Sequence, residues 1–198
     1  MKIDSRQAVS FSWKQAKQIA RHITSADGLE PEHRERYATA FLLASASGLR
    51  CEQHTGHIGP CKNVAAYRTV VLADREGKEA MRRLKTFIGS RIKNPNALVF
   101  PSKNDTPLRE NNVLRFALHP ALKALDLPQA GMHAFRHGCN RRWELAGMNP
   151  AVLRQQMGHS SAVMTARYTG EIPLAQVQAA FSSMKNGELE NMENEAAA

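Results

Sequence analysis

Four potential zinc ligands lie within eleven residues, at the spacing C-x2-H-x2-H-x3-C: Cys51, His54, His57 and Cys61. Thiolates and imidazoles in one tight loop could hold a structural zinc ion. However, structural zinc sites usually draw paired ligands from two separate segments, and here no second segment braces the loop. Two cations that bind no metal, Arg50 and Lys62, flank the set directly. We therefore assign the chemistry to these cations and expect no metal, with a zinc-stabilised interaction module as a competing interpretation.

A second group of reactive side chains lies in residues 131–170, GMHAFRHGCNRRWELAGMNPAVLRQQMGHSSAVMTARYTG. His133 and Arg136 are three residues apart, so a helix would place them on one face. A helix stop at Gly158 would let His159 reach into a cleft, and Tyr168 follows nine residues later. Each residue alone has an ordinary structural explanation. Only their combination indicates a site.

Together these residues resemble the motifs of the tyrosine recombinase (phage integrase) family. HAFRH matches the family's H-x-x-R-H box, MGHSSAVMTARYTG matches its GH-S…T-x-x-Y-T box, and the upstream ASGLR matches its first box. The boxes occur in the family's order, and the resemblance runs from about residue 10 to residue 183. It implies the catalytic-domain fold of that family, which is mainly α with a small antiparallel β-sheet (α+β).

The resemblance also implies an enzyme that breaks and rejoins DNA without a metal or other cofactor. Tyr168 would attack the scissile phosphodiester and form a 3′-phosphotyrosyl link, which stores the bond energy for the reverse step. Charge then builds on the non-bridging phosphate oxygens. Arg50 and Arg136 would hold these oxygens in the bidentate manner that suits a guanidinium.

The remaining roles implied by the resemblance concern proton transfer. His133 and His159 would hydrogen-bond the same phosphate, and His133 could also take the proton of the nucleophile. Lys62 would protonate the departing 5′-oxygen, because it lies six residues before Arg68 in a sequence similar to the family's lysine-bearing strand. The second histidine of the box, His137, would pack or orient its neighbours.

The segment after Arg50 departs from the family pattern. Eleven residues separate Arg50 from Lys62, where the family has roughly two dozen, and Gln53 stands where an acid is usual. The apolar strand expected at this point is absent from the sequence. A catalytically impaired DNA-binding remnant is therefore an alternative to a recombinase. Within enzymes, a type IB topoisomerase would use similar chemistry.

Capping residues and apolar periodicity predict the elements that position these residues. Helices are expected to start at or just after Ser12, Pro31, Asp74, Asn111, residue 133, Asn149, Ser160 or Ser161, and Pro173. Gly48, Gly147 and Gly158 would end three of them. The β-branched run TVVL at 69–72 predicts a strand. In the helix after Asn111, the residues expected to be buried are Val113, Phe116, Leu122 and Leu125.

Charge indicates the class of partner. The chain has 27 basic and 18 acidic residues and a net charge of +9, but four of the acids lie in the tail after Asn186. Residues 1–186 therefore carry +13. A surplus of this size on one domain is typical of proteins that bind a polyanion, most often nucleic acid. With the family boxes, this predicts double-stranded DNA at a specific recombination site as the partner.

The length of 198 residues suits one domain. We expect a lead-in at 1–10, joining a missing core-binding domain, a catalytic domain at 11–185 and an acidic disordered tail at 186–198. The sequence has no secretory signal, no membrane-spanning apolar run and an odd number of cysteines. It therefore predicts a cytoplasmic, nucleoid-associated protein without a membrane partner. Residues 173–184 have an apolar face, and the resemblance to the family implies that this helix docks on a neighbouring protomer in a homotetramer on DNA.

Overall fold

A computed structural model describes residues 9–49, 68–89 and 97–158, together with positions 175 and 178. Its helices are, in chain order, α1 (Trp13–Ser25), α2 (Pro31–Ser47), α3 (Arg75–Ile88), α4 (Glu110–Val113), α5 (His119–Ala124), α6 (His133–Leu145) and α7 (Pro150–Met157). A π-helical segment, Leu114–Leu118, joins α4 to α5. Apart from positions 175 and 178, the helices expected after residue 158 lie outside the described residues, and so does the cysteine- and histidine-rich stretch 51–61.

The helix ends confirm the capping predictions. The side chains of Ser12, Asp74 and Asn149 accept hydrogen bonds from the first-turn amides of α1, α3 and α7. At Ser12 the reciprocal bond from the backbone to Gln15 completes a capping box. Gly48 closes α2 in the left-handed conformation that a glycine adopts without strain. These local signals fix where the site-bearing helices begin and end.

The main core lies between α1, α2 and α6. The ring of Phe135 on α6 stacks on Phe41 of α2 at 5.2 Å, and it meets Phe11 at 5.1 Å between ring centroids. The backbone at Phe11 lies directly on α6, where a Cβ added to Gly138 would come within 1.8 Å of the Phe11 carbonyl oxygen. Only a glycine permits this approach, which anchors the start of the domain to α6. None of the described helices has the length and apolar character needed to cross a bilayer.

A smaller apolar cluster sits beside the ends of α2 and α7. It is built around the fully buried ring of Trp143 on α6, with Val152 and Met157 from α7. Val71 and Ala73, from the chain that precedes α3, pack against it. The cluster therefore joins three segments that lead toward the predicted site residues.

The predicted small antiparallel sheet is wrong. Most of the described residues are helical, and among them there is no strand but a single isolated bridge between Pro101 and Pro107. Residues 69–72 are not assigned to a strand, because the described hydrogen bonds of Thr69 and Val71 go to a side chain. The side-chain amide of Gln156 accepts from Val71 N–H at 2.9 Å and donates to Thr69 O at 3.5 Å. A helix residue thus takes the place that a neighbouring strand would have.

The predicted burial of Phe116 is also wrong, since its side chain is 52% exposed. The cause is the π-helical segment, whose i→i+5 hydrogen bonds make a wider turn than an α-helix. Ala117 and Leu118 face the core at this point, while Phe116 turns to solvent. The α-helical period used for the sequence prediction does not hold across such a turn.

Candidate active site

The two histidines of the HAFRH box lie on the surface, and its arginine lies inside. His133 and His137 are exposed, and their ring centroids are 6.4 Å apart. Arg136 is only 5% exposed, although it sits one helical turn from His133. The predicted shared face therefore divides into an exposed edge with two imidazoles and a buried edge with a guanidinium.

The guanidinium of Arg136 joins the ends of two helices. Nη1 donates to the carbonyl of Gly48, just past α2, and Nη2 donates to the carbonyl of Met157, the last residue of α7. Carbonyls at a helix C-terminus carry partial negative charge, so a buried cation is well placed there. In the sequence, Gly48 lies two residues before Arg50, and Met157 lies two residues before His159. Arg136 thus fixes the two chain segments that carry these predicted site residues.

The last turn of α7 has a partner for each of its four terminal carbonyls. The N–H of Gly158 reaches the carbonyls of Arg154 and Gln155. Arg68 Nε donates to the carbonyl of Gln156 at 2.8 Å, and Arg136 donates to that of Met157. Two arginines from distant parts of the chain therefore cap one short helix. His159 follows directly after this doubly held turn.

The end of α2 is held in the same way. Ser47 is fully buried, and its hydroxyl accepts from the N–H of Leu49 at 3.2 Å, which sets the direction of the chain toward Arg50. From α6, Cys139 Sγ and Arg142 Nη2 both contact the carbonyl of Ala46. Burial raises the pKa of the Cys139 thiol to about 12, so this sulfur is a packing group and not a nucleophile.

Replacing Gly48 with Ala is expected to destabilise the protein and to disturb the site. Gly48 has φ +62°, and an added Cβ would lie 2.6 Å from Sδ of the fully buried Met157. Left-handed backbone alone costs an alanine about 1–2 kcal/mol. With the displacement of Met157 added, we expect a loss of about 2–3 kcal/mol. This corresponds to a fall in Tm of about 4–12 °C, measurable by circular dichroism.

Gly147→Ala is the matched control for that substitution. Gly147 also has a positive φ, of +74°, but an added Cβ would meet nothing within 4 Å. The difference in Tm between the two variants therefore isolates the contact with Met157. If both variants lose equal stability, the packing of Gly48 against α7 does not contribute.

A buried ion pair supports the same region from the other side. Asp74, the N-cap of α3, accepts from Trp143 Nε1 at 2.9 Å and pairs with Arg142 Nη2 at 3.1 Å. Arg142 also lies 3.5 Å from Glu76. Charges removed from water are tolerated when they are paired and hydrogen-bonded, and both Asp74 Oδ2 and Arg142 Nη2 have partners of each kind. Asp74 therefore links α3 to α6 beyond its predicted role as a helix cap.

Gln156 is the site-region residue that sequence reasoning missed. It is 1% exposed and occupies a core-facing position of α7, between buried neighbours Val152, Leu153 and Met157. A polar residue on an apolar helix face was the available signal. Nothing local in the sequence indicates its partners, since Thr69 and Val71 lie more than eighty residues away.

Four of the six predicted catalytic residues, Arg50, Lys62, His159 and Tyr168, lie outside the described residues. The structure brings together the segments that lead to Arg50 and His159, through Arg136. Across 9–49, 68–89 and 97–158, no group of three or more histidine, cysteine, aspartate or glutamate residues is placed to hold a metal ion.

Solved structures of the integrase of transposon Tn1549 are similar to this fold. One, in complex with circular intermediate DNA, has a TM-score of 0.58 and 19% identity, covering 90% of this chain and 66% of that chain. A variant of that integrase bound to transposon right end DNA has a TM-score of 0.61 and 18% identity, covering 92% and 68%. The chain thus spans about two thirds of the length of these integrase chains.

Curated protein sequences give no significant match. The phage integrase family, in contrast, matches residues 11–172, which contain all three sequence boxes and the whole described helical body from α1 to α7. The chain therefore belongs to the phage integrase family.

Proposed function

We propose that the chain is the catalytic domain of a site-specific DNA recombinase, which cleaves and rejoins DNA through a 3′-phosphotyrosyl intermediate. The observation that carries the proposal is the pair of hydrogen bonds from Arg136 to the carbonyls of Gly48 and Met157. One buried side chain from the HAFRH box donates a hydrogen bond to one residue of each of the two other boxes. Three motifs that are far apart in sequence would then serve one reaction centre, as a phosphate-cleavage site requires.

In the proposed reaction, the Tyr168 hydroxyl oxygen attacks the phosphorus atom of one phosphodiester. The bond from Tyr168 Oη to phosphorus forms as the bond from phosphorus to the 5′-oxygen breaks. His133, exposed at the start of α6, takes the phenolic proton. Lys62 gives a proton to the departing 5′-oxygen, which is otherwise a poor leaving group. Attack by a 5′-hydroxyl on the phosphotyrosine reverses each step and rejoins a strand.

The negative charge that develops on the phosphate would meet preorganised cations. Arg50, Arg136 and His159 supply donors to the non-bridging oxygens. In the fold, Nη1 and Nη2 of Arg136 each donate to a backbone carbonyl. Because those bonds hold the Arg136 plane fixed, its orientation toward a phosphate would need little reorganisation during the reaction.

The helix from α4 to α5 offers a surface for duplex DNA. Arg115 and Lys123 are exposed there, and no described acidic side chain forms an ion pair with either. They line a groove of about 510 Å³ together with the half-buried His119. Phe116, the most exposed of the described large apolar side chains, lies beside Arg115 at 5.2 Å. A helix with exposed cations and an aromatic tip suits a major groove, where Phe can contact thymine methyl groups.

Removing the two cations should reduce the salt dependence of DNA binding. Each phosphate contact contributes about 0.9 to the slope of log K against log salt. The double substitution Arg115→Ala and Lys123→Ala is therefore expected to lower that slope by about 1.8, measured by fluorescence anisotropy on a labelled duplex. The matched control removes two exposed cations of α3, Lys78 and Arg82. An equal change in both variants would mean that total charge, and not this helix, determines binding.

Assembly on DNA is part of the same proposal. We retain the prediction that residues 173–184 dock on a neighbouring protomer in a homotetramer. Apart from positions 175 and 178, these residues lie outside the described chain. Truncation after Gly170 would then reduce cooperative assembly more than binding to a single site. The protein would work in the cell compartment that contains the target DNA.

The deciding experiment uses a nicked suicide duplex that carries the cognate site. Release of the short strand beyond the nick traps the covalent intermediate, so a protein–DNA adduct should survive denaturation in detergent. Proteolysis and mass spectrometry of that adduct should place the nucleotide on Tyr168. DNA binding without any adduct would favour the catalytically impaired remnant, and an adduct on a different residue would overturn the assigned mechanism.

A further inference from the structure

Gln156 makes three polar contacts with the segment before α3. Its Oε1 accepts from Val71 N–H at 2.9 Å, its Nε2 donates to Thr69 O at 3.5 Å, and its backbone carbonyl accepts from Arg68 Nε at 2.8 Å. The side chain is 1% exposed, so no bulk water competes for these bonds. One residue at the end of α7 thus holds three of the four residues from 68 to 71.

The side-chain bonds follow the pattern of a parallel β-bridge. In such a bridge, one residue donates to the carbonyl before its neighbour and accepts from the amide after it. The Gln156 amide does this around residue 70, with the carbonyl of Thr69 and the amide of Val71. An apolar side chain at position 156 could pack in the same space, but it would leave both backbone groups without these bonds. The amide therefore determines the register of residues 68–72, and packing alone would not.

The same end of α7 is bound to the rest of the candidate site. Residue 157, next in the chain, is held by Arg136, which also holds Gly48. Val71 itself packs against the smaller apolar cluster. The proposed general acid, Lys62, is close in sequence to the residues that Gln156 contacts, since it lies six residues before Arg68.

We infer that Gln156 is a positioning residue for the cleavage reaction: its amide holds residues 69–71 in register with the last turn of α7. Lys62 and His159 lie a few residues along the chain from the two parts that it joins. The inference rests on the proposed function and adds a residue to it. Gln156 itself touches neither substrate nor the reacting atoms. Its loss should therefore impair the step that needs Lys62, which is protonation of the 5′-oxygen, more than it impairs DNA binding.

The test uses Gln156→Met, which keeps the length of the side chain and removes the amide. Single-turnover cleavage of an ordinary duplex should fall about ten- to a hundredfold, with DNA affinity unchanged within about twofold. A duplex with sulfur in place of the scissile 5′-oxygen needs no general acid, because a thiolate is a far better leaving group. On that duplex the variant should cleave nearly as fast as the wild type. Equal losses on both duplexes, or no loss on either, would overturn the inference.

Leu153→Met is the control, since it changes core packing on the same helix without touching a hydrogen bond. Any change in cleavage rate caused by Leu153→Met should be the same on the ordinary duplex and on the sulfur-substituted duplex. If Gln156→Met does not fold, Gln156→Asn keeps the amide on a side chain that is one methylene shorter, so its bonds to Val71 and Thr69 are weakened. That variant should show a smaller loss with the same rescue by sulfur, and an equal loss on both duplexes would count against the inference.

Hydrogen exchange separates this inference from the proposed function. The amide of Val71 should exchange at least about tenfold faster in Gln156→Met, with the amides of α6 unchanged. Unchanged exchange at Val71 overturns the positioning role, whatever the enzyme does. If even the wild type forms no adduct, the proposed function fails, and the exchange result still shows whether Gln156 holds the segment.

Discussion

Tyr168→Phe is expected to eliminate the covalent protein–DNA adduct completely while DNA binding stays within about twofold of the wild type. The substitution removes a single oxygen atom, and in the proposed mechanism that atom forms the bond to phosphorus. The aromatic ring remains, so packing around position 168 should change little. The readout is a denaturing gel of the suicide-duplex reaction, with anisotropy on the same duplex for affinity.

The chain contains three tyrosines, which makes a sharp control possible. Tyr37 is buried on α2, and desolvation raises the pKa of its phenol, which makes it a poor nucleophile. Tyr37→Phe and Tyr67→Phe should both keep the adduct. If Tyr67→Phe loses the adduct and Tyr168→Phe keeps it, the nucleophile is Tyr67. The assignment of Tyr168 from its sequence box would then be rejected.

The helical frame of this protein could be predicted from sequence because its signals are local. Ser12, Asp74 and Asn149 cap helices through bonds that span two or three residues, and such bonds need no tertiary contact. Gly48 ends α2 because its backbone enters the left-handed region. Arg136 was predicted as a site residue from its place in the HAFRH box, and that role stays a prediction. Its two carbonyl partners were not predicted, since they depend on how α2 and α7 are packed.

The two wrong predictions, the strand at 69–72 and the burial of Phe116, concern features that depend on tertiary contacts. Residues 69–72 have the composition of a strand, but composition does not specify which group accepts the backbone hydrogen bonds. Here that group is the side chain of Gln156, 85 residues from Val71. Phe116 was expected in the core because an α-helical period was assumed, and a π-helical turn changed the phase. Both errors arise where tertiary packing overrides the local pattern.

The same contrast applies to the helix ends at the candidate site. The ends of α2 and α7 are fixed by side chains of α6 and by Gln156, which bond directly to backbone carbonyls and amides. Buried polar bonds of this kind are directional, so they define positions more narrowly than apolar packing does. The resulting dependence on single residues predicts that conservative substitutions among them will be severe.

Arg136→Lys is the substitution in which this dependence should be greatest. A lysine keeps the charge but has one nitrogen at the end of a flexible stem, so it cannot reach the carbonyls of Gly48 and Met157 with two fixed nitrogens. One buried carbonyl would lose its partner, at a cost of about 1–3 kcal/mol in stability. The phosphate would lose a preorganised donor, which costs about 100- to 1000-fold in rate. We therefore expect adduct formation to fall by at least about 100-fold.

Two further arginines on α6 provide controls for that result. Arg141 is exposed, and Arg141→Lys should match the wild type. Arg142 is buried against Asp74 and the carbonyl of Ala46, so Arg142→Lys should lower Tm with a smaller loss of adduct. The pair thus separates stability from chemistry, because both buried arginines support the fold while only Arg136 is assigned to the phosphate. A loss of adduct in Arg142→Lys as large as that in Arg136→Lys, at similar stability, would reduce Arg136 to a structural residue.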